Sequence, residues 1–396
     1  MNLASRFEAV RQQSLRLAAP LSAEDCCVQS MPEASPIKWH LAHTSWFFET
    51  FLLERFEASF KPFHPAFRVL FNSYYNGVGD KHPRAQRGLL TRPALAEVLA
   101  YRAAVDQRIL SLLQATPGDA RIAELMALGL QHEQQHQELM LTDLLHLLAQ
   151  NPLQPAYRGE GQDLTPSVPE LGWLRFAGCL QDMGHHGGGF CFDNELPAHQ
   201  QFLQPFELAT RLVSNAEYLA FVEAGGYQQP ELWLAEGWDW LRSQGLSKPL
   251  YWRQDDAGPW MAFGLHGLQP LDPHAPACHL SLFEADAFAR WAGARLPTEF
   301  EWEAAARAAA QMPGLQQMHG QVWQWTSSSY APYPGFAPAA GAVGEYNGKF
   351  MVNQYVLRGS SLATPAGHAR DSYRNFFPAH TRWQFSGIRL ARSVPA

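Results

Sequence analysis

The stretch Leu130-Gln-His-Glu-Gln-Gln-His-Gln-Glu-Leu139 constrains this chain more than any other. It lies inside an apolar-periodic run from about Gly118 to Leu148, and 3.6-residue spacing predicts a helix there. His132 and His136 are four positions apart, so they lie one above the other on one helix face. Two imidazoles so placed are half of a metal site. The rest of the chain has to supply a third ligand and a substrate pocket.

The same five residues satisfy His-Glu-x-x-His, the zinc-protease pattern in which Glu133 would be the general base. The metzincin continuation needs Gly at position 139 and His at 142, where this chain has Leu139 and Thr142. Glu138 and Asp143 follow too closely to act as a ligand from a separate helix. Glu133 projects about 100° away from His132 around the helix, which predicts a carboxylate behind the ligands or on the surface. His146 points off the ligand face and is expected to pack.

Proline and cap residues divide the first 155 residues into four helices. The first runs to about residue 19 and ends at Pro20. Ser35-Pro36 reads as N-cap and first turn of a second, Ile37 to about Phe56, which contains Trp39-His40-Leu41-Ala42-His43. A third runs from Arg92-Pro93 to about Gln114, and Pro117-Gly118-Asp119 precedes the fourth. Four helices in this length predict a bundle. Between the second and third, Glu57 to Thr91 has no sustained period. It holds Asn72-Ser-Tyr-Tyr75 and His82-Pro-Arg-Ala-Gln-Arg87, and its aromatic content predicts an ordered loop.

Composition changes after Asn151-Pro-Leu-Gln-Pro155. Short strands, frequent Gly and Pro and recurring Trp, 13 in the whole chain, predict an irregular α+β domain with helical pieces at Ser214–Val222 and Phe283–Trp291. The domains expected are 1–155 and 160–396. A net charge of −7 argues against nucleic acid and anionic membranes as partners. No apolar run approaches the ~20 residues of a membrane span. Five scattered cysteines, with no Cys-x-x-Cys pair, and a start without an apolar signal core point to reduced thiols and a cytoplasmic location.

Arg295-Leu-Pro-Thr-Glu-Phe-Glu-Trp302, Gly320-Gln-Val-Trp-Gln-Trp325, Val356-Leu-Arg-Gly-Ser-Ser361 and Gly387-Ile-Arg-Leu-Ala-Arg392 together resemble the formylglycine-generating-enzyme fold, a relative of C-type lectins. Those enzymes use a cysteine pair late in the domain. The matching stretch here, Ser360 to Tyr373, has no cysteine, which argues against that activity. The N-terminal half resembles a DinB-type four-helix bundle. The two together, with Leu-Ala-His43 and His-Glu-Gln-Gln-His136, resemble the EgtB family of ergothioneine biosynthesis. Its members are non-haem iron sulfoxide synthases that use O2 to join a thiol sulfur to C2 of the imidazole of hercynine, N-trimethylhistidine. The sister selenoneine synthases (SenA-type) form the carbon–selenium bond from a selenosugar.

The resemblance implies Fe(2+) held by His43, His132 and His136, with His40 the alternative third ligand. Three neutral imidazoles suit iron and leave positions open. It implies that Gln135 contacts hercynine through its amide, and that Arg84 and Arg87 pair with a carboxylate, which guanidinium groups grip bidentately. The Asn-Ser-Tyr-Tyr wording resembles the branch whose catalytic tyrosine comes from the bundle, which implies Tyr74 or Tyr75 as the proton or hydrogen-atom donor. The other branch uses a Tyr-x-x-Tyr pair, incomplete here because Val343 precedes Tyr346. Tyr373-Arg-Asn-Phe-Phe-Pro378 matches a segment that meets hercynine. Asn375 would bind the carboxylate, and Phe376 and Phe377 would face the quaternary ammonium. Phe377 stands where γ-glutamylcysteine users carry an acid, which favours cysteine or another chalcogen donor. Gln324 and Ser360 also depart from common family residues, and they favour the selenoneine branch.

Overall fold

Asp119 starts the helix that carries the paired histidines. Its carboxylate accepts the backbone N–H groups of Arg121 at 2.9 Å and Ile122 at 3.4 Å, satisfying donors that a helix start leaves unpaired. In the computed structural model, which describes residues 2–159, 161, 164–255 and 258–394, this helix runs Ala120–Ala149. At ~1.5 Å per residue it is about 45 Å long. The other helices of the bundle are α1 (Leu3–Ala18), α2 (Ile37–Phe48) and α3 (Leu95–Ala115), so Ala120–Ala149 is α4.

Two helix starts differ from expectation. Pro36 occupies the N-cap position of α2 with no side-chain cap. Ser35 instead gives its N–H to Asp143 Oδ2 at 2.8 Å. Pro93 is not in the first turn of α3, which begins two residues later at Leu95. The helical course from Ile37 to Phe56 is continuous but contains a π-helical turn at Glu49–Leu53. Glu49 in that turn accepts the Tyr101 hydroxyl at 2.6 Å and the Phe63 N–H at 2.8 Å.

α2 is buried along its whole length, and α4 crosses it at Gly129. A Cβ at Gly129 would meet Phe48 ring carbons at 2.6 and 2.9 Å. Phe48 is fully buried, edge-on to Phe7 at 5.1 Å and under the Arg11 guanidinium at 5.4 Å, so the ring has nowhere to go. Overpacking typically costs ~1–3 kcal/mol, against ~1 kcal/mol gained from replacing a helical glycine by alanine. Gly129→Ala should therefore lower stability by about 1 kcal/mol, read as a lower urea midpoint with an unchanged m-value.

The chain forms two compact units. The first is Met1–Tyr157 together with Ala339–Tyr346, and the second is Arg158–Pro338 with Asn347–Ala396. The short segment Ala339–Tyr346 thus groups with the bundle, where composition had suggested a single cut near residue 155. No helix among the described residues is long and apolar enough to cross a membrane.

The second unit has twelve strands among its described residues: β1 (Trp173–Phe176), β2 (Cys179–Met183), β3 (His199–Leu203), β4 (Phe206–Ala209), β5 (Trp252–Arg253), β6 (Met261–Gly264), β7 (Gly267–Pro270), β8 (Trp323–Ser329), β9 (Tyr355–Gly359), β10 (Asn375–Phe377), β11 (Ser386–Gly387) and β12 (Ala391–Ser393). They make small sheets ordered β1-β4-β12, β10-β9-β8-β11, β2-β3 and β5-β6-β7. Trp302, Leu208, Phe206 and Met183 lie in one of its cores. Its described residues form four α-helices, rather than the two expected: Asn215–Glu223, Ala235–Gln244, Leu282–Trp291 and Glu299–Ala308. Three of them begin with a capping box: Ser214 with Glu217, Ser281 with Glu284, and Thr298 with Glu301.

Candidate metal centre

α4 divides the side chains of its histidine stretch between two faces. Glu133 and Gln137, one turn apart, face α1. Glu133 is fully buried, and its carboxylate accepts from Arg11 Nη1 at 2.9 Å, Ser14 Oγ at 2.6 Å and Arg102 Nη2. Gln137 Nε2 donates to the Val10 carbonyl at 2.8 Å. Burial alone would raise the Glu133 pKa. The Arg102 and Arg11 guanidinium groups outweigh it and hold the carboxylate at about 2. Glu133 is thus the centre of a buried ion cluster tying three helices, not a surface residue and not a base beside the histidines.

His132 and His136 face α2, where they meet His43. One nitrogen from each of these three side chains lies within 4.8 Å of the others, and all three residues are buried. His43 Nε2 and His132 Nε2 are 3.2 Å apart. Two nitrogens bound side by side to one ion at ~2.1 Å would lie about 3 Å apart, so this spacing suits a shared metal. His43 Nδ1 is 2.6 Å from the Phe71 carbonyl. A carbonyl only accepts, so the proton of neutral His43 is on Nδ1 and Nε2 is bare. Burial lowers the pKa of all three histidines, His132 to about 3. The donor set is therefore three neutral imidazoles, as metal ligation requires. His40 has both ring nitrogens engaged, with His136 and Asp143, which leaves it no lone pair for a metal.

Trp39 and Arg87 flank the cluster. The Trp39 ring stacks on His43 at 4.6 Å, and the Arg87 guanidinium lies over Trp39 at 3.4 Å. Arg87 is buried and donates to Ser35 Oγ at 2.8 Å and Ser73 Oγ at 3.3 Å. Burial, and then the charge of Arg84, lowers its pKa, with Asp143 opposing. Arg84 itself is exposed and donates to the Glu33 carbonyl. The two arginines are thus not equivalent: Arg87 adjoins the cluster's tryptophan, whereas Arg84 is turned to the surface.

Asn72 orders the tyrosine loop. It is fully buried, accepts the Tyr75 N–H at 3.1 Å, and donates to the carbonyls of Tyr75, Gly79 and Asp80 at 3.0–3.2 Å. Tyr75 is completely buried among Trp46, Phe47 and Phe51. Tyr74 is half-buried, stacked on Tyr75 at 4.6 Å. A third tyrosine joins them. Tyr346 lies edge-on to Tyr74 at 6.3 Å and to His132 at 5.7 Å, and its hydroxyl donates to Gln135 Oε1. Its neighbour Glu345 accepts the N–H groups of Asn76 and Gly77 at 3.0 and 2.6 Å.

Residues 6–140 match the DinB superfamily, and residues 174–313 and 309–394 match the sulfatase-modifying factor enzyme 1-like domain. Hercynine oxygenase from Mycolicibacterium thermoresistibile is 32% identical over 446 residues, covering 99% of this chain and 95% of that protein. Hercynine oxygenase from Mycobacterium tuberculosis is 32% identical over 434 residues, covering 99% of each. The chain belongs to the EgtB-type hercynine oxygenase family. It is an oxidoreductase built of a DinB-like helical bundle and a formylglycine-generating-enzyme-like domain. The likeness to the formylglycine-generating enzyme of Streptomyces coelicolor is 34% identity over 159 residues, covering 34% of this chain and 47% of that one.

In that domain of this hercynine-oxygenase relative, Asn375, Phe376 and Phe377 form β10, paired with Leu357, Val356 and Tyr355 of β9. Strand alternation puts Asn375 and Phe377 on one face and Phe376 on the other. Phe376 stacks on Tyr330 at 4.1 Å, so it packs within its own unit, apart from the face that Asn375 and Phe377 share. The two family departures also have internal roles. Buried Gln324 accepts from Trp302 Nε1 and Arg389 Nε, both at 2.7 Å. Ser360 Oγ accepts the Gly320 N–H at 2.8 Å.

Proposed function

We propose that this chain is an Fe(2+)- and O2-dependent synthase that joins the sulfur of cysteine to C2 of the hercynine imidazole, giving hercynyl-cysteine sulfoxide. In the balanced reaction the hercynine C2–H and thiol S–H bonds break. A C–S and an S–O bond form, and the second oxygen atom leaves as water. The observation that carries this reading is the buried triad of neutral imidazoles, His43, His132 and His136, beside Gln135 and Tyr346 in a chain of the hercynine oxygenase family. Iron held there would supply the activation of O2 and a Lewis-acid site for the two substrates.

The protein's own groups have separate tasks. The Tyr346 hydroxyl fixes the Gln135 amide by donating to Oε1, which turns Nε2 into the donor end for an imidazole nitrogen of hercynine. Arg87, a buried cation resting on Trp39, supports binding of the carboxylate of the sulfur donor. Tyr74 and Tyr75 are the proposed source of the proton or hydrogen atom, and the protonated phenol is their form at neutral pH. Asn375 and Phe377 are proposed to meet the carboxylate and trimethylammonium of hercynine.

These roles separate in steady-state O2 uptake. Tyr346→Phe should raise the KM for hercynine about tenfold with a smaller change in kcat, because it releases a ground-state contact. Tyr74→Phe should lower kcat, as expected for a group needed only in the chemical step. A Tyr346→Phe enzyme with unaltered KM would remove Gln135 from substrate binding. A selenosugar is the second donor to be tested, since the bundle residues described here are not specific for sulfur.

A further inference from the structure

His40 lies between two residues of α4, and its bonds fix where protons sit. Its Nε2 is 3.1 Å from Asp143 Oδ2, and its Nδ1 is 2.8 Å from His136 Nδ1. Asp143 follows His136 by seven residues, two helical turns, so both project from the same face. His40, from α2, fills the gap between them. All three are buried, with 2%, 6% and 8% of their surface exposed for His40, Asp143 and His136. Water therefore does not weaken these bonds.

The protons follow from donor and acceptor rules. A carboxylate oxygen accepts, which places a proton on His40 Nε2 and leaves His40 Nδ1 as the acceptor in the other contact. The short Nδ1–Nδ1 contact then requires the proton of His136 on Nδ1. That leaves His136 Nε2 with its lone pair free of a proton. Asp143 is itself held in place. Its Oδ2 also accepts the Ser35 N–H at 2.8 Å, and Ser35 Oγ accepts from Arg87 Nη1 at 2.8 Å. The chain of bonds thus runs from Arg87 through Ser35, Asp143 and His40 to His136.

We infer that His40 and Asp143 are positioning residues, which lock His136 in the tautomer that offers Nε2 to the metal and tie that ligand to the substrate-side Arg87. The inference rests on the metal-centre reading above. It explains why two polar rings and a carboxylate are buried in contact where apolar side chains would pack at no desolvation cost. His43 has its own tautomer lock, the Phe71 carbonyl. Ligand histidines with such outer partners commonly lose 10–100-fold in metal affinity when the partner is removed.

The test uses Co(II) as a spectroscopic probe, titrated anaerobically into the metal-free full-length protein. His40→Ala should bind it 10–100-fold more weakly. His40→Gln should recover most of the loss, because its amide oxygen can accept from His136 and its NH2 can donate to Asp143. In the metal-free protein labelled with 15N-histidine, long-range 1H–15N spectra should show His136 protonated on Nδ1 and His40 on Nε2. If the unaltered protein does not bind Co(II), the metal-centre reading fails and the inference falls with it. If it binds, and a folded His40→Ala protein binds within twofold, the metal centre stands and the inference is overturned. If His40→Ala does not fold, the spectra of the unaltered protein decide. A His136 ring protonated on Nε2 overturns the inference, and one protonated on Nδ1 supports it.

Discussion

Glu133→Gln should destabilise the metal-free bundle by about 3–5 kcal/mol, the usual effect of removing one member of a buried ion pair. The carboxylate faces two guanidinium groups, Arg11 and Arg102, and all three residues are almost fully buried. The amide would take from Arg102 its carboxylate partner and leave Arg11 with Asp106 alone, 2.6 Å from its Nε. An independent route gives a similar size. Against burial, which acts to raise it, the two arginines hold the Glu133 pKa at about 2, compared with 4.5 for an unperturbed glutamate. At 1.36 kcal/mol per unit this is worth about 3 kcal/mol at neutral pH. The sign is that of a depressed carboxylate. The stability is fully present above pH 4.5 and is lost as pH falls towards 2. Urea unfolding at pH 7 measures the effect, and the variant should also lose the unaltered protein's added acid sensitivity between pH 4.5 and 2. A zinc-protease reading predicts the reverse, unchanged stability with activity abolished, because Glu133 would then act on substrate.

His43→Ala should abolish retention of Fe(2+). Loss of an outer partner costs 10–100-fold in affinity, and loss of one of three ligands should exceed that range. The variant also frees the Phe71 carbonyl and the stack against Trp39. A His43→Gln protein, which keeps a polar side chain there, should be equally unable to hold iron while remaining folded. Iron content after anaerobic loading and desalting gives the answer. One iron per chain in either variant would assign the third position to another residue.

The local part of the site could be read directly from the chain. A helix with His132 and His136 on one face follows from spacing alone, and Asp119 sets its start. His40 and His43 are not told apart by spacing. They are three residues apart on a helix that is buried all round, so periodicity does not rank them. The distinction comes from what lies opposite: the Phe71 carbonyl for His43, Asp143 and His136 for His40. Asp143 carried a usable signal, being seven residues after His136 and so on the same face. The partners of Glu133 carried none, since Arg11 and Arg102 come from two other helices. Val343 breaks the pair pattern that would single out Tyr346, yet the Tyr346 hydroxyl meets Gln135, 211 positions earlier in the chain. Contacts of that separation leave no mark on local composition. In the second domain, strand alternation separates residues that the motif places side by side. Adjacent Phe376 and Phe377 cannot present their rings to the same side, and Phe376 stacks on Tyr330.

The most direct test is product analysis. Metal-free protein is loaded anaerobically with Fe(2+), given hercynine and cysteine, and exposed to O2, with γ-glutamylcysteine and a selenosugar as parallel donors. The account predicts Fe(2+)-dependent O2 uptake and a product with the mass of hercynine plus cysteine plus one oxygen, less two hydrogens. Unconsumed hercynine with every donor, or equal activity with zinc in place of iron, would contradict it.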